Sequence, residues 1–289
     1  MLNFQSVLTS IDFLNGVEIR AIDESELEYH RSLIERFPSG PVDVIATRAT
    51  HALIRELRRP KAGPMPGIIE DPTFDTVISA LRLVRPAAVS YSVVSVKVRA
   101  PLFGTQFGIG AGGSSWSSPG RRAWGSSTLV FSERDVDSAR RLVDRMTTAR
   151  PNALLSRALD RFSFACERIR AEDALVDAWI ALEALYLKRD EQAELAFRAA
   201  LRVGAFLGRN PDEREWLYRV TKKSYDTRSR IVHGDPAPLQ LHSMSTFCRE
   251  ILRLTLTRCF EKGIRPNLDK IDLDAARGTI QEVLNDPAI

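Results

Sequence analysis

Lys222–Asp235 reads KKSYDTRSRIVHGD, an arginine-rich helical stretch that stops on a histidine and then a glycine. A glycine just past a helix end needs no chemistry, because it adopts the left-handed conformation that closes the last turn. The histidine raises a separate question. Arg228 and His233 are five positions apart, which on an ideal helix is about 140° of rotation and about 7.5 Å of rise. They do not share one stripe, so a joint site needs the long arginine to curl towards the imidazole, or the helix end to loosen. An Arg-x4-His spacing by itself is weakly specific. Here it comes with Lys222, Lys223 and Arg230 around it.

Outward from this stretch the second half of the chain is helical. Ser132 followed by Asp135 opens it as a capping box, and apolar residues then recur at helical spacing almost to the end. Helices are expected near 133–148, 152–170, 172–187, 191–208, 211–233 and 238–262, with a short last one near 272–285. Asn210, Pro211 and Glu213 form an N-cap, a first-turn proline and a first-turn acid for the fifth of these. Short loops favour antiparallel neighbours.

The first half is mixed. GVEIRAI (16–22) and AVSYSVVSVKVRA (88–100) carry the alternating, β-branched pattern of strands, whereas DESELEYHRSLIERF (23–37) and PTFDTVISALRLV (72–84) have helical spacing. Residues 102–128, rich in Gly, Ser and Trp, read as a long loop or irregular hairpin. The expected organisation is an α+β domain over 1–131 followed by an all-α domain over 132–289. A sensing or regulatory role for the first domain is suggested by the Gly/Ser loop and by the basic run RELRRPK (55–61).

Composition bounds the class. With 44% hydrophobic and 27% charged residues over 289 positions, the chain is an ordinary globular one. A net charge of +4 permits an anionic partner without demanding one. Cys166, Cys248 and Cys259 are odd in number and form no CxxC pair, and His30, His51, His233 and His242 have no ligand spacing with them. No metal or cofactor is expected. GIGAGG matches GxGxxG at Gly108, Gly110 and Gly113, but Pro and Gly follow where a helix would have to run, so a loop is the better reading. No run of 18 apolar residues occurs and the N-terminus has no basic region before an apolar one, which together read as a reduced cytoplasmic protein without a membrane span.

Two carboxylates, Asp177 and Glu183, interrupt the apolar helix EDALVDAWIALEALYL (172–187). Buried carboxylates are costly unless paired, so each should reach solvent or an arginine on a neighbouring helix. The natural partner for Glu183 is Arg198 in LAFRAALRVGAFLG (195–208), and Glu183 would then orient an arginine belonging to a site.

An imidazole can take a proton from a ribose 2′-hydroxyl or give one to a leaving 5′-oxygen. An arginine can hold a phosphate bidentately and stabilise its developing charge. Those two roles suffice for RNA cleavage without a metal. The blocks ALDRFSFACERIRAEDALVDAWIALEALYL (158–187), LAFRAALRVGAFLG and YDTRSRIVHGD (225–235), in this order and spacing, resemble the HEPN superfamily, in particular its Apea-like branch. The resemblance covers about Leu155 to Cys259, and DTVISALRLVRPAAVSYS (75–92) is similar to the region that often precedes that domain. It implies a HEPN-like helical bundle that forms homodimers and, in active members, a metal-independent endoribonuclease with toxin-like or antiviral roles. Arg228 and His233 then match the catalytic pair and Ser229 the polar position after the arginine, more often Asn, Asp or His. Glu183 and Arg198 match supporting positions. Lys222, Lys223 and Arg230 would contact RNA. The alternative is a noncatalytic RNA-binding or dimerisation module with the same fold.

Overall fold

The computed structural model describes residues 4–6, 10–22, 28, 51–55, 72–85, 89, 93–95, 115–117, 129–148 and 153–278. Apart from residue 28, the helix expected at 23–37 lies outside these residues, as do the glycines of GIGAGG and most of the Gly/Ser stretch. The described strands are β1 (Phe4–Ser6), β2 (Ser10–Asp12), β3 (Val17–Ala21), β4 (His51–Arg55), β5 (Val93–Ser95), β6 (Ser115–Ser117) and β7 (Leu129–Phe131). The described helices are α1 (Pro72–Val84), α2 (Glu133–Thr148), α3 (Ala153–Glu167), α4 (Ala171–Tyr186), α5 (Leu195–Leu207), α6 (Pro211–Val232), α7 (Leu241–Lys262) and α8 (Leu268–Arg277). An α+β N-terminal region thus precedes a bundle of helices. Contacts group the chain into two compact units, one of Met1–Ile78 with Val89–Val143, the other of Ser79–Ala88 with Asp144–Ile289.

In the first unit β2, β3 and β4 form an antiparallel sheet in that order, with Ile11 opposite Ile19. Val17 and Ile19 are buried while Glu18 and Arg20 are partly exposed, the two-residue alternation of a sheet with one face on a core. Gly16, at φ +80°, makes the β2–β3 turn that a side chain would strain. β1 pairs in parallel with β7, and Ser115–Ser117 of the Gly/Ser stretch pairs antiparallel with Val93–Ser95. The α2 capping box forms as its sequence requires: the Ser132 amide and hydroxyl both donate to Asp135 Oδ2, at 3.0 and 2.8 Å, and the Asp135 amide donates back to Ser132 Oγ at 3.3 Å.

In the helical unit α4 packs against α3, α6 and α7, α5 lies along α6, and α8 covers α5. Gly204 and Gly208 of α5 allow that α5–α6 contact: a Cβ on Gly204 would meet the Arg214 carbonyl oxygen at 2.9 Å. The C-terminal half of α1 also belongs to this unit. From Val77 to Leu83 every residue of α1 is buried, as expected of a helix surrounded by protein on all sides. Its one cation there, Arg82, donates to Glu167 Oε1 at 2.7 Å, and Arg253 of α7 donates to the Leu83 carbonyl at 2.9 Å, satisfying an acceptor at the helix end. A cut at residue 131 would strip this turn from the helical unit.

Some helix ends differ from their expected positions, for reasons visible in side chains. The helix expected from 191 starts at Leu195, because Glu191 turns inward and Glu194 takes a left-handed φ of 57°. The last helix begins at Leu268, capped by Asn267 accepting from the Lys270 amide at 3.1 Å, and stops at Gly278 with φ 71°. Glu191 turns inward to meet Arg202, a residue of α5 whose side chain is fully buried. Arg202 Nε donates to Asp272 Oδ1 at 2.8 Å. Nη1 donates to the Tyr186 carbonyl at 2.8 Å and Glu191 Oε2 at 2.7 Å, and Nη2 to Glu191 Oε1 and Asp272 Oδ2, both at 2.6 Å. Every guanidinium donor is used.

Two stability predictions result. Replacing Arg82 by Ala strands the buried Glu167 carboxylate and should cost about 3–5 kcal/mol in urea unfolding, whereas Arg82→Leu combined with Glu167→Leu should cost far less. The hydrogen bonds from Arg202 hold the Glu191 carboxyl at about 2, against an ordinary value of 4.5. A lowered carboxyl stabilises the fold above its ordinary value and ceases to as the pH falls through the folded one. The urea midpoint should therefore drop between about pH 4.5 and pH 2, and Glu191→Gln, weaker at neutral pH, should show a shallower drop.

Candidate active site at the end of α6

The helix that carries the motif is built to lie close to its neighbours. Its buried stripe is Leu217, Thr221, Ser224 and Thr227, small or slender residues rather than large apolar ones. Two of their hydroxyls bond back into the helix, Ser224 Oγ to the Thr221 carbonyl at 2.7 Å and Thr227 Oγ1 to the Lys223 carbonyl at 3.0 Å, while Thr221 Oγ1 is buried with no partner among the described residues. Its start follows the sequence, with the Glu213 amide donating to Asn210 Oδ1 at 2.8 Å and Pro211 in the first turn.

Its end explains the histidine followed by glycine. Gly234 has φ +86°, its amide donates to the Ile231 carbonyl at 3.0 Å, and the Asp235 amide donates to the Arg230 carbonyl at 2.9 Å. This is the paired bonding of a Schellman cap, so the glycine is structural. His233 is the last residue before it, with its amide donating to the Ser229 carbonyl at 3.1 Å and its side chain exposed.

Arg228 faces α4. Its Nη2 lies 3.4 Å from Glu183 Oε1, and both side chains are partly covered, 22% and 28% exposed. Its guanidinium also lies 5.9 Å from the Tyr225 ring, which in turn meets the fully buried Trp179 edge-on at 5.0 Å. Arg228 Nε is buried without a hydrogen-bond partner among the described residues. The arginine is thus steered by a carboxylate and an aromatic face while its donors stay largely uncommitted. Burial raises the Glu183 carboxyl, and Arg228 works against that rise; burial, then the Glu183 charge, also raises the Tyr225 phenol.

The expected pairing of Glu183 with Arg198 is corrected by these contacts. Arg198 instead faces Glu191 at 3.4 Å and Glu194 at 3.7 Å, on the side of α5 that joins the Arg202 network. Glu183 does orient an arginine of the motif, but that arginine is Arg228. Asp177 is paired across helices, with Arg161 at 2.8 Å and Arg168 at 2.7 Å. Ser229 is partly exposed, and Lys222, Lys223 and Arg230 are exposed, Lys223 Nζ donating to Gln240 Oε1 at 3.0 Å and Arg230 Nε lying 3.4 Å from Asp235. A groove of about 320 Å³ between α5 and α6, bordered by Phe197, Leu201 and Tyr218, includes none of the motif residues.

Sequence reasoning missed Tyr225 and Trp179 as the wall behind Arg228. The one available signal was the pair of aromatic residues on the two helices already suspected of carrying the site. Among the described residues no group of three or more His, Cys, Asp or Glu side chains is placed to hold a metal, and no helix is long and apolar enough to cross a membrane.

A raised carboxyl favours the fold in its protonated form, a contribution lost as the pH rises past the ordinary value. In a carboxyl NMR titration Glu183 should therefore titrate above the usual glutamate range, and higher still in Arg228→Met, where the opposing charge is gone. Compared with protein families, with curated proteins and with solved structures, the chain has no match.

Proposed function

We propose that the chain is a HEPN-type endoribonuclease that needs no metal and acts at a cleft between two copies. The observation that carries this reading is the state of the two motif side chains. Arg228 is positioned by Glu183 and Tyr225 with donors to spare, and His233 stands exposed on the closing turn of the same helix. A phosphate supplies the acceptors that such an arginine lacks. The exposed imidazole is free to exchange protons.

In this mechanism the substrate's own 2′-oxygen attacks the adjacent phosphorus. A base removes the 2′-hydroxyl proton, the 2′-oxygen to phosphorus bond forms, the bond to the 5′-oxygen breaks, and that oxygen takes up a proton. The products are a 2′,3′-cyclic phosphate and a free 5′-hydroxyl. His233 serves as the proton carrier, and Arg228 binds the non-bridging oxygens as charge builds on them. Arg228 and His233 leave α6 about 140° apart, which favours a site completed by a second copy that brings one chain's arginine to the other's histidine. Lys222, Lys223 and Arg230 hold the flanking phosphates, so binding should weaken with salt.

The test is incubation of the full chain with end-labelled single-stranded RNA in excess chelator, beside His233→Ala and Arg228→Ala at matched dimer content. Expected are 2′,3′-cyclic phosphate ends, with cleavage slowed about 10²- to 10⁴-fold in the histidine variant and strongly in the arginine variant. RNA binding by the native chain with no cleavage would instead assign the noncatalytic module.

A further inference from the structure

The side of α6 that carries Trp216 holds a row of residues of which the ribonuclease reading uses only the last two, as phosphate contacts. Trp216, Arg219, Lys223 and Arg230 recur at intervals of three, four and seven, and on an ideal helix they fall within an arc of about 60° along about 21 Å. His233 follows one turn beyond Arg230. From Glu215 to Asp235 the helix and its cap hold five cations, Arg219, Lys222, Lys223, Arg228 and Arg230, against three acids, Glu215, Asp226 and Asp235. The row is therefore basic as well as aromatic.

Trp216 is 56% exposed, and its ring meets Phe247 of α7 edge-to-face at 5.4 Å and 86°. A large apolar ring with few rotatable bonds, open to water on one side, can stack on a flat partner at little entropic cost. Among the described residues its cationic neighbours make exposed contacts, Arg219 to Glu215, Lys223 to Gln240 and Arg230 to Asp235. Exposed ion pairs contribute little, so a run of phosphates can displace them. Lys223 donating to Gln240 and Trp216 touching Phe247 also place the start of α7 beside this row, which gives the track one wall.

We propose that this row is a track for single-stranded RNA, with unpaired bases stacking on Trp216 and the phosphates following Arg219, Lys223 and Arg230 towards His233. The assignment rests on the reading of RNA as the partner and adds its strandedness and direction. A duplex hides its base faces except at its ends, so a lone exposed indole distinguishes single strands from duplexes. Tryptophan and arginine also serve protein contacts, but the excess of positive charge along the row, with Glu215 and Asp235 engaged only in exposed pairs, favours a polyanion.

The test measures binding of a fluorescein-labelled oligouridylate to the full chain over a range of salt, for the native protein and for Trp216→Ala, Trp216→Tyr, Arg219→Gln and Lys223→Gln. Trp216→Ala should raise Kd about 5- to 150-fold with an unchanged salt slope, and Trp216→Tyr should keep most of the affinity. Each Gln variant, at an exposed position that leaves the core intact, should lower the slope of log Kd against log salt by about 0.7. If the native chain binds but does not cleave, the ribonuclease reading falls and the track stands. The track is overturned if the native chain does not bind, if a duplex of matched length binds equally well, or if Trp216→Ala and the two Gln variants leave affinity and slope unchanged. An affinity left intact in Trp216→Ala while sedimentation shows lost self-association also overturns it, marking the face as a protein contact.

Discussion

The helical unit depends on one buried guanidinium. Arg202 has no exposed side-chain surface and five donors in a rigid plane, so it can be accommodated only where five acceptors converge. They come from the end of α4 (the Tyr186 carbonyl), the α4–α5 connection (Glu191) and α8 (Asp272). Removing water from a charge is expensive, and the mutual attraction of a pair repays it only when hydrogen bonds are nearly complete. Here they are complete, and Lys188 adds a further cation at 3.5 Å from Asp272. The network accordingly fixes where α5 begins and where α8 sits. A hydrophobic cluster of the same volume could stabilise the unit as well, but it would not impose that geometry.

From this fixed start α5 runs along α6, with Gly204 beside the Arg214 carbonyl, and α6 in turn lies against α4 through hydroxyls bonded back into the helix. Close approach matters because Glu183 and Arg228 are on different helices. With the backbones held near each other, a long side chain from α6 reaches a carboxylate on α4 while both keep a share of solvent. Tyr225, pinned edge-on against Trp179, stops the guanidinium from folding away. Burial then disfavours charge on Glu183 while Arg228 favours it, so the carboxylate is a soft counter-ion rather than a saturating one. Such a partner orients an arginine without consuming its capacity to bind an anion. His233 is held differently, by the backbone of a closing turn, and its side chain takes no part in packing.

What could be read from the sequence was what depends on a few consecutive residues. The capping box at Ser132, the Asn210–Pro211 start of α6, the glycine stop after His233 and the helical periodicity of 211–232 are set by bonds spanning at most five residues, and each forms as the residues require. The alternation in β3 is equally local. Exposure of Lys222, Lys223 and Arg230 belongs to the same class, since an amphipathic helix assigns its own outer face.

What only the tertiary structure decided was who meets whom. α5 offers two arginines one turn apart on a largely apolar helix, Arg198 and Arg202, and nothing local says that the second is the buried one. Its acids stand 11 and 70 residues away, and the partner of Glu183 stands 45 positions further along rather than 15. The end of α1 likewise joins the helical unit through Glu167 and Arg253, across 85 and more residues. A charged side chain is indifferent to sequence distance, because desolvation and Coulomb attraction depend on where atoms lie in space. The helix faces and the caps at Ser132, Asn210 and Gly234 were therefore determined by the sequence alone, while the start of α5 and the choice among chemically equivalent ion partners were made by the packing of the helices.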